Sequence, residues 1–313
     1  MTELIRLHYP IVNFKKPVQQ VVAMGFFDGV HLGHQAVLAR AKQEAEKRGV
    51  PLAVLTYDPH PIVAFQKLNQ PLRYLTPLEQ KVSIMSRLGV DKVYVMRFTS
   101  KLSKLKGQSF VDEVLMHLNP LTVVAGFDHL YGANGTNSDM SHLLVYAKER
   151  FGVITVPELD DLNQKISSST IRKYLDNGNV DMVTKQLGHP HATTGTVVHG
   201  EARGRELGYP TANIQTPENE WLPGIGIYAV KIQINNQWYL GMASIGRNVT
   251  FGEARPITVE INILDFKEEI YGEAVQVEWY HYLRGEVKFN GVQSLINQLK
   301  LDAEDTHRYF NDK

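Results

Sequence analysis

The stretch VVAMGFFDGVHLGHQ, residues 21–35, reads as a buried strand that runs into a glycine-rich turn and then a helix. VVAMGFF (21–27) is a short apolar run of the kind that fills a sheet covered on both faces. Helical character takes over from His34 to Arg48. Gly25, Gly29 and Gly33 permit a tight turn and a close approach of backbone to a ligand. His31 and His34 stand three apart, where the free N–H groups and dipole of a helix start favour anions. Two imidazoles in that place can donate hydrogen bonds to a phosphate and stabilise a phosphoryl transition state. The alternative is a glycine-rich turn with two surface histidines, and the strand–turn–helix setting weighs against it. A zinc site fits less well, because HLGH (31–34) lacks the glutamate of HExxH.

The same alternation continues outward. PLAVLTY (51–57), DKVYVMRF (91–98), LTVVAGF (121–127) and VITVPEL (153–159) read as further strands. Helical segments over Pro77–Leu88, Gly107–Leu118 and residues 138–150 separate them. Such alternation predicts an α/β domain with a Rossmann-like parallel sheet, whose ligands sit outside the carboxyl ends of the strands. After a helical piece, Ser168–Leu187, LGHPHATTG reads as a linker. From there the pattern is TGTVVHG, IYAVKIQI, QWYLGMASIG, ITVEINILDF and EAVQVEWYHYL, short strands with turns. NNQ (235–237) suits a hairpin turn between two of them. This predicts a small antiparallel barrel or sandwich. A C-terminal helix follows, with Val292, Leu295, Ile296 and Leu299 on one face. The expected domains are 1–186 and 187–313.

Composition narrows the partners. The 313 residues contain no cysteine, which excludes disulfides, thiolate zinc sites and cysteine nucleophiles. Lys and Arg number 22 against 17 Asp and Glu in residues 1–186, and 11 against 16 in 187–313. An imbalance of that size is no nucleic-acid footprint, so no nucleic-acid partner is expected. The basic cluster RFTSKLSKLK (97–106) reads as a solvated loop or, less well, as a phosphate-facing one. With no signal peptide and no long apolar run, the expectation is a cytoplasmic protein without a membrane partner.

Two further motifs carry chemistry. KISSSTIRKYL (165–175) offers hydroxyls and a helix start at Ser168, with Arg172 as a bidentate phosphate donor. A plain capped surface helix would look similar; paired with HLGH, phosphate binding is the better reading. In GEARGRELGYPTANI (200–214), Gly200, Gly204 and Gly208 permit a flap, and Arg203 and Arg205 add positive charge. The Thr211 hydroxyl and Asn213 carbonyl suit the Mg2+ of an ATP complex. No Walker loop is present. Glu260 lies in a strand pattern, where most glutamates are solvent-facing bystanders.

GFFDGVHLGHQ, YDPHP (57–61), AGFDHLYG (125–132) and ISSSTIR (166–172) resemble the adenylyltransferase module of bacterial bifunctional FAD synthetases, of the HxGH nucleotidyltransferase group. LGYPTAN, ASIG…TFG (243–252), VEINILDF and YLRGEVKF (282–289) resemble the riboflavin kinase domain of the same enzymes. The resemblance implies ATP + riboflavin → FMN + ADP in the C-terminal domain, then ATP + FMN → FAD + pyrophosphate in the N-terminal one. It implies phosphate contacts by His31 and His34 and a nucleotide site built with Gly25, Phe27, Gly33 and Asp128. Ser168 and Arg172 would grip phosphates, and Gly204 and Gly208 would belong to the kinase flap. Thr211 and Asn213 would hold Mg2+–ATP, and Glu260 would be the general base. The isoalloxazine ring would lie near the barrel mouth and C-terminal helix, with Arg284 as a contact or a solvated side chain. Three departures stand out: His129 follows the Asp of the GxD pattern in place of an aromatic, ANGTNSDMSHL (133–143) lacks basic residues, and Val249 replaces a proline. The first two leave open a riboflavin kinase with weak or absent adenylyltransferase activity. A flavin-sensing regulator is the third reading, and it has no use for the chemistry-bearing residues.

Overall fold

The computed structural model describes residues 2–133, 137–161, 164–200, 204, 207–246 and 257–311. They divide into two compact units, Met1–Leu72 with Thr76–Ser167, and Arg73–Leu75 with Ser168–Lys313. Each unit has its own core.

In the first unit six strands form one parallel sheet: β1 (Glu3–Leu7), β2 (Gln20–Met24), β3 (Leu52–Asp58), β4 (Lys92–Arg97), β5 (Pro120–Gly126) and β6 (Gly152–Val156). Their order is β1-β4-β3-β2-β5-β6. Alternation along β2 divides the core in two. Val21 and Ala23 face Val37, Leu38 and Met85, supplied by α1 (Leu32–Arg48) and α2 (Leu78–Arg87). Val22 and Met24 face Phe110, Leu115 and Leu143, supplied by α3 (Gly107–Glu113), the turn after it and α4 (Met140–Ala147). From β2 the chain winds through β3 to β4, then returns to the other side of β2 for β5. That reversal opens a crevice beyond the carboxyl ends of β2 and β5, where an open α/β sheet binds its ligand.

β1 is absent from the sequence reading. ELIRL carries Glu3 and Arg6 because it is an edge strand paired only with β4 among the described strands, and its outer residues are exposed. The helix expected over Gly107–Leu118 ends at Glu113 and continues as a 3-10 turn, Leu115–Leu118. A two-stranded ribbon, β7 (Asp160–Asp161) with β8 (Gln164–Lys165), follows β6.

The second unit is a closed antiparallel barrel. Its strands are β9 (His191–Val198), β10 (Ala212–Gln215), β11 (Gly226–Ile234), β12 (Gln237–Gly246), β13 (Thr258–Ile263) and β14 (Ala274–Arg284), in the order β10-β13-β12-β11-β14-β9. Five of these match the segments named from the sequence, and β10, of four residues, is the one not among them. Asn235 and Asn236 both have left-handed φ (48° and 66°) between β11 and β12, the geometry of a two-residue hairpin turn.

The helical stretch expected over Ser168–Leu187 is two helices, α5 (Ser168–Asp176) and α6 (Val180–Leu187), broken at Gly178 with φ 72°. The sequence reading placed them with the first domain. Their apolar side chains Ile171, Leu175, Val180, Val183 and Leu187 instead share the barrel core with Tyr228 and Trp279.

The C-terminal helix α7 (Val292–Asn311) does not bury the apolar stripe read from the sequence. Val292 is exposed and Leu295, Ile296 and Leu299 are half-buried. What α7 buries is Asp302 and Thr306. Asp302 accepts a bidentate pair from Arg284 of β14 at 2.9 and 2.7 Å, and a third bond from Gln298 at 2.9 Å. Arg284 is therefore not a solvated side chain. Removing one partner of a buried ion pair leaves the other charge stranded. Asp302→Ala is expected to lower the stability of the barrel unit by about 3 kcal/mol. All three tryptophans lie in that unit, so urea unfolding followed by tryptophan fluorescence reads it directly.

Candidate active sites

In the first unit the turn after β2 is built under strain. Phe27 adopts φ 58° and Val30 φ 43°, left-handed values that cost a side-chain-bearing residue roughly 1–3 kcal/mol each. Gly29, at φ 84°, is the only glycine of the turn whose backbone freedom is used. Gly25 and Gly33 serve by lacking a Cβ: one at Gly25 would lie 2.8 Å from the Phe27 ring, and one at Gly33 would lie 3.3 Å from the His31 ring. The turn is held from outside. Thr56 and Lys81 both donate to the Phe26 carbonyl, at 2.9 and 2.7 Å. The Thr76 backbone N–H donates to Asp28 at 3.1 Å, and its hydroxyl accepts from Gly29 N–H at 2.8 Å. Gln35 donates to the Val30 carbonyl at 2.9 Å.

His31 caps helix α1, which starts at Leu32 rather than His34. Its Nδ1 accepts from the His34 backbone N–H at 3.3 Å, which leaves Nε2 to carry the proton and to donate. His34 stacks on His31 with ring centroids 3.5 Å apart and 17° between planes, and meets the edge of Phe27 at 5.2 Å. Burial pushes the His31 pKa down to about 4, against the raising influence of Asp128. Burial likewise lowers His34 well below an ordinary histidine, helped by the charges of His31 and Lys81. Both rings are therefore neutral near pH 7. They can offer one N–H each, and neither supplies a cation. Asp128, two residues past β5, acts on His31 by its charge from the neighbouring strand. Beside it, burial takes His129 down to about 4, and its Nε2 is buried without a hydrogen-bond partner.

Ser168 opens α5, and the Arg172 guanidinium lies 5.3 Å from the Trp221 ring. Both belong to the second compact unit and are described with the barrel.

In the barrel, register assembles the second constellation. Asn213 of β10 pairs with Glu260 of β13, which pairs with Ser244 of β12. Val259, Ile261 and Ile263 face the core, so Glu260 points outward on the same face as Asn213. Thr211 reaches that face too, and its hydroxyl donates to Glu260 at a long 3.4 Å. Asn262, unremarked in the sequence reading, donates to the Pro210 carbonyl at 2.7 Å and so fixes the peptide before Thr211. Its signal was the alternation Thr258, Glu260, Asn262 against Val259, Ile261, Ile263. Gly204 accepts from Tyr209 N–H at 2.9 Å, and Gly208 takes φ 78°. Arg203, Arg205 and Val249 lie outside the described residues. A cavity of about 380 Å³ opens beside Thr211 at the barrel mouth, lined by Val197, Ala212, Ile261, Ile263 and Phe266.

Known proteins match both halves. A family model described as FAD synthetase matches residues 13–170, and one described as riboflavin kinase matches residues 187–310. The bifunctional riboflavin kinase/FMN adenylyltransferase of Listeria monocytogenes is 48% identical over 98% of this chain and 98% of its own. That of Bacillus subtilis is 40% identical over 95% of this chain and 94% of its own. A crystal structure of a Streptococcus pneumoniae protein named as a macrolide-efflux protein aligns with TM-score 0.89 and 36% identity, covering 97% of this chain and 99% of that one. Among the described residues of this chain, no helix is long and apolar enough to cross a membrane. The chain belongs to the bifunctional riboflavin kinase/FMN adenylyltransferase family.

The Asn213 side chain rests against Gly200, where an added Cβ would stand 2.0 Å from the Asn213 amide nitrogen. Gly200→Ala is therefore expected to displace Asn213 and slow riboflavin phosphorylation by about tenfold or more. FMN adenylylation by the same chain, assayed alongside, should be unchanged.

Proposed function

We propose that the chain carries out two ATP-dependent steps in series: riboflavin + ATP → FMN + ADP on the barrel, then FMN + ATP → FAD + pyrophosphate at the parallel sheet. The observation that carries this reading is the presence of two separate constellations with different chemistry. One is a carboxylate between a hydroxyl and an amide; the other is a pair of neutral imidazoles at a helix start. The functional division proposed is 1–186 and 187–313, with α5 and α6 packed on the barrel.

On the barrel, Glu260 accepts the proton of the ribityl 5′-hydroxyl as that oxygen attacks the γ-phosphorus of ATP. Thr211 and Asn213 offer a hydroxyl and an amide oxygen, hard ligands suited to Mg2+ that arrives with ATP and keeps much of its water. When bound, Mg2+ neutralises charge on the β- and γ-phosphates. Gly204 and Gly208 shape the flap over those phosphates. The mouth cavity adjoins Thr211 and is walled by apolar side chains with Lys267, Glu268 and Glu269 beside them, and it takes the planar ring of a substrate.

At the sheet, the FMN phosphate attacks the α-phosphorus of ATP and pyrophosphate leaves, with no covalent enzyme intermediate. His31, through Nε2–H, and His34 donate to the phosphates as charge shifts onto them. Gly25, Phe27 and Gly33 shape the turn, and Asp128 orients the His31 side of the crevice. Ser168 and Arg172 are proposed phosphate ligands on the strength of the resemblance. A cytoplasmic location belongs to the same proposal. A second reading, a kinase with weak adenylyl transfer, is favoured by one observation: the buried His129 Nε2, without a hydrogen-bond partner, beside Asp128.

Incubation with riboflavin, ATP and Mg2+, followed by chromatography of the flavins, separates these readings. FAD is the expected product; FMN alone supports the second reading, and unchanged riboflavin overturns both. Glu260→Gln is expected to cut FMN formation by about 10²–10⁴-fold and leave FMN→FAD intact. His31→Ala is expected to do the reverse, lowering FAD formation by about 10²–10³-fold. Loss of both activities in either variant would contradict separate sites.

A further inference from the structure

Lys81 stands in the first turn of α2 and is 2% exposed. Its ammonium donates to the Phe26 carbonyl at 2.7 Å and lies 4.1 Å from the centroid of the Phe26 ring. One cation thus holds the residue that launches the strained turn by both its backbone and its side chain. Among the described residues no carboxylate stands within ion-pair distance of it. Asp28 of the turn and Asp58 at the end of β3 favour its charge from farther away, and burial lowers its pKa to about 8. A buried, unpaired ammonium opposes folding, and an apolar residue of similar length would fill the same space without that cost. A cation kept there calls for a role that the fold alone does not supply.

We propose that Lys81 is a positioning residue for adenylyl transfer. By gripping Phe26 it holds the Phe27–Val30 turn in its left-handed course, and so sets where His31 and His34 present their ring nitrogens to the nucleotide phosphates. The adjoining geometry agrees. Thr56 supplies a second donor to the same carbonyl, and His60 packs edge-on against the Phe26 ring at 4.3 Å. The charged and titratable groups around this arrangement are Asp28, Asp58, His31, His34, His60 and Asp128, and the Lys81 charge disfavours protonation of His34. Removing that charge lets His34 take up a proton at higher pH. The acid limb of adenylyl transfer then moves upward in pH, which a loss of packing alone does not produce.

The inference rests on the adenylyl-transfer reading of the N-terminal site, and full-length Lys81→Met and Lys81→Arg variants test it. FMN→FAD is measured across the acid and neutral range, with riboflavin phosphorylation by the same molecules as the reference. Lys81→Met is expected to lower kcat for FAD formation by about ten- to a hundredfold with a nearly unchanged KM for FMN. Its acid limb should move to higher pH, and kinase activity should stay at the unsubstituted level. Lys81→Arg keeps the charge and should keep the limb in place. Full FAD formation by Lys81→Met overturns the proposal, and so does a uniform loss with an unmoved limb. Should Lys81→Met fail to fold, Thr56→Val carries the test: it removes the other donor to Phe26, and an unchanged FAD rate overturns the proposal. If the unsubstituted protein forms no FAD, the adenylyl-transfer reading falls first; if it does and Lys81→Met matches it, only the role of Lys81 falls.

Discussion

The left-handed course of Phe27 and Val30 is the constraint from which the N-terminal half is organised. A β-branched residue at φ 43° is held there only when its surroundings leave no alternative. Those surroundings come from β3 through Thr56, from the start of α2 through Thr76 and Lys81, and from α1 through Gln35. The sheet order supplies the rest. Because β5 lies beside β2, the charge of Asp128 acts on His31, which follows β2. Strain, topology and electrostatics thus converge on a pair of imidazoles that are stacked and uncharged, His31 buried and His34 half-buried.

The barrel solves a different problem by a different means. Its constellation rests on regular pairing and needs no strained backbone: Asn213, Glu260 and Ser244 are neighbours because β10, β13 and β12 are. Glu260 points away from the core, where a substrate hydroxyl can reach it. The sheet site places neutral donors where negative charge develops, while the barrel site places an acceptor where a proton departs. Two phosphoryl chemistries on one chain therefore draw on opposite electrostatic resources.

Much of this was legible in the residues. The apolar run at 21–27, the glycines and the two histidines point to strand, turn and phosphate site because all are local features. The barrel strands showed themselves by alternation, and the Asn235–Asn236 turn by its residue types. What stayed hidden was tertiary. ELIRL at 3–7 resembles a charged leader until β4 is beside it, and Ala212–Gln215 is too short to show a period. Glycines drew attention away from Phe27 and Val30, which carry most of the left-handed backbone. Lys81 sits in an amphipathic helix where a lysine reads as solvated, and only the packed structure shows it enclosed. Arg284 likewise offered two readings, and its pair with Asp302, eighteen residues on, decides against the solvated one.

The helices α5 and α6 bear on how such a chain can be inherited. Their apolar faces are spent on the barrel core, and Arg73–Leu75 from the first half also belongs to the barrel unit. A gene cut at residue 186 would release an N-terminal product carrying Ile171, Leu175, Val180 and Val183 with nothing to cover them. Its C-terminal product would lack the same side chains from its interior. Fission of the gene at that point therefore demands compensating substitutions on both sides of the cut. A break that spares this packing falls before Ser168 instead, where the helices stay with the core they fill.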